Sequence, residues 1–103
     1  MKHYVVQITD EALLDMEKLY NYIAFNLSAP ENAIGQYNRI ADEILKLESF
    51  PERFKIIDIK LECTKELRRI SVDNYSVFFV IKDDRVVVTD VLYSASDISK
   101  RLK

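Results

Sequence analysis

The sequence predicts an α+β domain: an N-terminal strand and a helical hairpin packed on one face of a small antiparallel sheet, in the order β-α-α-β-β-β. Three observations predict it. The first half carries two runs whose apolar residues recur every three or four positions. The second half carries three runs rich in Val, Ile, Phe and Tyr, separated by Asp73-Asn74 and by Lys82-Asp83-Asp84-Arg85. Asx pairs of this kind suit the positive φ angles of tight hairpin turns. The middle run also offers apolar side chains on both faces, Tyr75, Val77, Phe79 and Ile81 on one and Phe78 and Val80 on the other. Such a strand belongs in the interior of a sheet.

The elements follow in order. Lys2 to Ile8 reads as a first strand around Tyr4, Val5, Val6 and Ile8. Thr9 then caps a helix, with Asp10 and Glu11 placed well against its dipole. That helix presents Ala12, Leu13, Met16, Leu19, Tyr20, Ile23 and Leu27 on one face, opposed by Asp15, Glu17, Lys18 and Asn21. Ser28-Ala29-Pro30-Glu31 has the spacing of a capping box, with Pro in the first turn. A second helix runs to about Glu48, with Ala33, Tyr37, Ile40, Ala41, Ile44, Leu45 and Leu47 on its apolar face. Pro51 ends it at Phe50. Phe54 to Ile59 reads as a loop with a short edge strand, and Ile98 to Lys103 as a basic tail of one or two helical turns begun by Ser96.

At 103 residues the chain forms one domain, spanning 1–103. A hydrophobic share of 49% and a charged share of 31% fit a soluble globular protein and argue against disorder. The apolar runs are too short to cross a bilayer, and the first residues read as a strand rather than a secretory signal. One cysteine, Cys63, fits a reducing cytoplasm. With one His and one Cys, no metal or other cofactor is expected. A single Gly rules out a glycine-rich phosphate loop.

The net charge of −2 hides an asymmetry. Asp10 to Glu52 holds nine acids and three bases, whereas Arg53 to Arg69 holds six bases and three acids. The basic stretch reads either as an anion-binding edge or as a solvated surface. No nucleophile–base set is visible. His3, Asp83-Asp84 and Asp42-Glu43 are explained by position and solvation, and Cys63 as an idle thiol despite Lys60 and Lys65 nearby. Adjacent Arg68 and Arg69 stand out, because neighbours on a strand point to opposite faces. The inward one reads as a structural ion pair or as an anion site.

At these residues the chain resembles the RelE/ParE superfamily, the toxins of bacterial type II toxin–antitoxin modules. The resemblance rests on Tyr4-x-Val6-x-Ile8-Thr9-x-x-Ala12, Asn21-Tyr22-Ile23, and Leu47-x-x-Phe50-Pro51. It continues through Leu67-Arg68-Arg69-Ile70, Asp73-Asn74-Tyr75-Ser76-Val77-Phe78-Phe79 and Val91-Leu92-Tyr93. It implies a toxin neutralised by an antitoxin encoded beside it, forming a hetero-oligomer in the cytoplasm with no membrane partner. ParE-like members inhibit DNA gyrase. RelE-like members cut mRNA on the ribosome, without metal, using basic residues and a Tyr. Where such nucleases carry Arg, this chain has Ser76, and Ser94-Ala95-Ser96 stands where Gly-Arg-Arg is common. Both changes remove charges that would hold a phosphate, so the ParE-like reading is preferred. Its target-binding residues are Arg53, Arg68, Arg69, Lys100 and Arg101. The enzyme reading, a ribosome-dependent endoribonuclease, uses Arg68, Lys65, Tyr75 and Tyr93. A degenerate toxin that only binds its antitoxin is the third reading.

Overall fold

A computed structural model describes residues 3–57 and 66–95. Strand β1 (Val5–Ile8) leads into helix α1 (Asp10–Asn21), which continues as a π-helical turn over Tyr22–Asn26. Helix α2 (Pro30–Leu45) follows, then two 3₁₀ turns, Lys46–Glu48 and Pro51–Arg53. Strands β2 (Arg68–Val72), β3 (Tyr75–Lys82) and β4 (Arg85–Tyr93) complete a four-stranded sheet of order β1-β4-β3-β2. The α+β arrangement is the expected one. The sheet itself is mixed: β2, β3 and β4 are antiparallel, while β1 runs parallel to β4. Thr9 fixes that direction. Its hydroxyl accepts the Ala12 N–H at 3.1 Å, capping α1, and donates to the Thr89 carbonyl at 3.2 Å. Its backbone N–H donates to Val88 at 3.0 Å. One residue thus closes the strand, opens the helix and holds both on β4.

The central position of β3 produces two apolar layers. On the helical side Val77 and Phe79 join Ile70, Val86, Val88 and Val91 against Ala12, Met16, Ile40 and Ile44. On the other side Phe78 and Val80 pack with Leu67 and Leu92. Strand alternation alone would send Val88 and Val91 to opposite faces. A bulge corrects this. Phe78 pairs with Asp90 but Phe79 pairs with Val88, leaving Thr89 as the extra residue. Asp15, read from the sequence as part of a solvent face, instead reaches β4 and accepts the Val91 N–H at 3.1 Å.

Other local expectations change. The Ser28–Glu31 capping box does not form. Ser28 adopts φ 53, and the N-cap is Ala29 without a side-chain bond, with Pro30 opening α2. Pro30 disfavours helical backbone at the residue before it, so Ala29 (φ −129, ψ 65) stays outside the helix and takes the N-cap place that Ser28 was expected to fill. Leu13, Leu27 and Leu45, expected on buried faces, are exposed. Phe50 before Pro51 takes φ 48, a left-handed conformation unusual for a bulky residue. Of the two Asx turns, the leading residues Asp73 and Asp83 adopt φ 54 and 55. Phe54 to Ile57 forms only an isolated bridge, Ile56 to Arg68, beside β2. Cys63 and the tail from Ser96 lie outside the described residues.

The Asp73 turn is tied to α2. Its carboxylate accepts from Arg39 Nε at 2.7 Å and from Gln36 at 3.2 Å. The Arg39 guanidinium, through that bond, holds the Asp73 carboxyl below its usual value of 3.8. A carboxyl depressed by folding stabilises the native state above its unfolded value, and the contribution disappears as pH falls through the folded one. Asp73→Asn keeps a residue that tolerates positive φ. It is therefore expected to melt below the parent chain at neutral pH, with the gap closing only as pH falls from 3.8 through the lower folded value. Thermal melts of both chains across that pH range check the prediction.

Candidate functional site

A cleft of about 870 Å³ opens between the helical hairpin and the ends of β3 and β4. Its floor is apolar: Leu19 and Ile23 from the first helix and its π turn, and Val91 from β4. Three tyrosines surround it. Tyr75 and Tyr93 face each other in register, with ring centroids 5.6 Å apart at 69°. Tyr22 comes from the π turn, where the Leu27 N–H donates to the Tyr22 carbonyl at 3.1 Å. A five-residue turn sets Leu27 above Tyr22, where an α-helix would set Asn26. Tyr22 and Leu27 are both more than half exposed, so they form a lip. Burial raises the Tyr75 phenol above its usual value, and the nearby phenols of Tyr93 and Tyr22 add to the effect.

The polar lining is mixed. Lys18 and Asp15 come from α1, and Glu31 and Arg39 from α2. Gly35, the only glycine in the chain, also lines the cleft. A Cβ there would meet Arg39 Nη1 at 3.2 Å, so the bare backbone lets the guanidinium lie back towards Asp73.

Of the residues expected to act on a target, Tyr75 and Tyr93 come together and the arginines stand apart from them. Arg68 lies opposite Phe79, four residues along β3 from Tyr75, a distance of about 13 Å at the strand rise. The expected alternation holds: Arg68 shares the helical face with Phe79, and Arg69 shares the other face with Phe78. Arg68 is bonded to backbone rather than to a carboxylate in the bonds described. It donates to the backbone carbonyls of Glu52 and Phe54 at 3.2 and 2.7 Å. Arg53 bonds the carbonyls of Ser49 and Phe50 at 2.6 and 2.9 Å and lies 4.5 Å over the Phe54 ring. Tyr4 donates to Glu52 in the same corner, and that bond holds its phenol above the usual value. Arg68 therefore pins the 49–54 loop to the sheet, and Arg53 braces the loop against itself. Arg68→Ala is expected to cost about 1–2 kcal/mol by stranding two carbonyls, read as a lower urea midpoint of the purified chain.

Arg69 is half-buried, and its Nε has no hydrogen-bond partner. Ser76 is fully buried and shares a 2.8 Å hydroxyl contact with Ser94. Two of the positions that lack the nuclease-type cations therefore bond each other. Lys65, Lys100 and Arg101 lie outside the described residues. Among the described residues no group of three His, Cys, Asp or Glu could hold a metal, and no helix is long and apolar enough to cross a membrane. The sequence reading missed Tyr22, Lys18 and Arg39. A glycine in mid-helix, which costs stability without a reason, was the available signal.

The sequence matches the family model described as ParE toxin of type II toxin–antitoxin system, parDE, over residues 6–98. The fold is similar to that of the chromosomal ParDE system of P. aeruginosa, at 16% identity and TM-score 0.72, covering 88% of this chain and 96% of that one. It is similar to an archaeal RelE–RelB complex from Pyrococcus horikoshii OT3, at 18% identity and TM-score 0.59, covering 90% and 97%. An E. coli RelE toxin mutant in the free state aligns at 15% identity and TM-score 0.61, covering 98% and 99%. Among curated proteins, no sequence matches significantly. The family match spans nearly the whole sheet and both helices, and the chain belongs to the ParE toxin family of type II toxin–antitoxin systems.

Proposed function

We propose that this chain arrests growth in the cytoplasm by ParE-like binding to DNA gyrase, and that an antitoxin encoded beside it neutralises it in a hetero-oligomer. One observation carries the reading. Among the described residues, Arg53 and Arg68 are employed away from Tyr75 and Tyr93, and serines stand where the nuclease-type cations would be. Arg53 and Arg68 are bonded to loop carbonyls, and Ser76 and Ser94 bond each other. Phosphate chemistry needs positive groups aimed at the charge that develops. A protein target needs only complementary surface. In this reading Arg69, half-buried with its Nε enclosed and unsatisfied, meets the target together with Lys100 and Arg101 of the tail.

The RelE-like reading keeps one observation in its favour, the registered Tyr75–Tyr93 pair on a cleft that also contains Lys18 and Arg39. Induced expression without the antitoxin is expected to stop colony formation, and co-expression of the neighbouring antitoxin to restore it. Unimpaired growth on induction, with the folded protein present in the cells, would remove the toxin reading and leave an inactive antitoxin binder.

A further inference from the structure

Among the described residues, four that are not glycine adopt positive φ: Ser28, Phe50, Asp73 and Asp83. Asp73 and Asp83 lead hairpin turns and belong to the residue type that tolerates the left-handed region, and Ser28 is small and polar. Phe50 is the bulky one, at φ 48 and ψ 57, and for such a residue this conformation is an outlier with a steric cost. Burial does not offset that cost, because Phe50 is 64% exposed. Asn or Gly would take the same backbone with less strain. The fold therefore accounts for the turn but not for the ring.

The loop that carries the ring is fixed from several sides. The Tyr4 N–H donates to the Glu48 carbonyl at 2.8 Å, and Ser49 bridges to His3 ahead of β1. Arg53 holds the Ser49 and Phe50 carbonyls, and Arg68 holds those of Glu52 and Phe54. Pro51, next in the chain, is buried. A strained residue persists where its surroundings over-determine it, and such residues cluster at active sites, ligand clamps and switch regions. A side chain on a rigid loop also loses little freedom on binding, and aromatic anchors of this kind dominate protein interfaces.

We infer that Phe50 is an anchor with which the chain engages its protein target, the ring entering an apolar pocket on that protein. Resting on the gyrase reading above, this assignment adds an apolar contact to the cationic ones given there and makes Arg53 and Arg68 positioning residues for the ring. A second copy is the poorer occupant, because a two-fold axis would set protrusion against protrusion.

The test measures inhibition of plasmid supercoiling by purified gyrase, using the full chain and three variants. Phe50→Asn removes the ring and keeps a residue that tolerates positive φ. It is expected to raise the half-inhibitory concentration about 30-fold, the scale of an interface hot spot, while its melting midpoint stays at or above that of the parent chain. A ring that served only the fold would not lose function while stability is kept or gained. Phe50→Tyr retains the ring and is expected to stay within about 3-fold of the parent. Phe25→Asn makes the same change at a 73% exposed ring in the π turn and is expected to shift inhibition less than about 2-fold. Unchanged inhibition by Phe50→Asn would overturn the inference, and so would a lower melting midpoint, which would give the ring a structural role. Equal losses in Phe50→Asn and Phe25→Asn would reduce the effect to general surface hydrophobicity and count against it in the same way. Titration of the neighbouring antitoxin is expected to show less than about 2-fold change in Phe50→Asn, and a larger loss would assign the ring to the antitoxin instead. Self-association of the parent chain that Phe50→Asn abolishes would place a second copy on the ring and likewise overturn the inference. In all of these cases inhibition by the parent chain leaves the gyrase reading standing. No inhibition by the folded parent chain would overturn that reading and this inference together.

Discussion

Replacing Phe79 with alanine is expected to remove about 3–5 kcal/mol of stability. Phe79 has no exposed surface, sits on the central strand and meets Phe54 edge-on with centroids 6.1 Å apart. Its ring fills the space where the helices, the 49–54 loop and the sheet converge, and rigid strands on both sides limit collapse of the cavity. A domain of this size has about 5–15 kcal/mol in total. The loss therefore takes a large part of the margin, and the melting midpoint is expected to fall by about 15–30 °C. A shift of only a few degrees would mean that the sheet and helices do not share one core.

Asp15→Ala is expected to cost about 1–3 kcal/mol, more than a typical helix-surface change. Its carboxylate accepts the Val91 N–H beyond the β4 bulge, linking α1 to the strand that ends in Tyr93. Removing the acceptor leaves that N–H without its partner in a part-buried site. Asp15→Asn retains an acceptor oxygen and is expected to recover much of the loss. Hydrogen exchange separates this local account from general destabilisation. The Val91 amide is expected to lose more protection in Asp15→Ala than amides of β2. Uniform loss across the sheet would contradict the role given to Asp15.

The contrast between Phe79 and Asp15 shows what could be read from sequence. Phe78 and Phe79 in a run apolar on both faces already require an interior strand, because no edge or half-exposed strand buries both. Thr9 followed by two acids already marks a helix start. The alternation of Arg68 and Arg69 across the sheet likewise follows from strand geometry. Their destinations do not, since backbone carbonyls of a 3₁₀ loop carry no side-chain signature. Asp15 looked solvated because its acceptor role depends on where the bulge leaves the Val91 N–H. The parallel pairing of β1 was equally hidden: a four-residue strand carries no mark of its neighbour's direction. The cleft depends on the π turn, whose five-residue spacing of Tyr22 and Leu27 fits neither helix nor strand periodicity. Gly35 was the one visible trace of it.

The most direct test of the central claim follows labelled thymidine and labelled methionine uptake after the chain is induced without its antitoxin. An early fall in DNA synthesis, with protein synthesis continuing, is the predicted result for gyrase inhibition. An early fall in protein synthesis with DNA synthesis spared would contradict it, and would point to mRNA cleavage by a cation set other than Arg53 and Arg68.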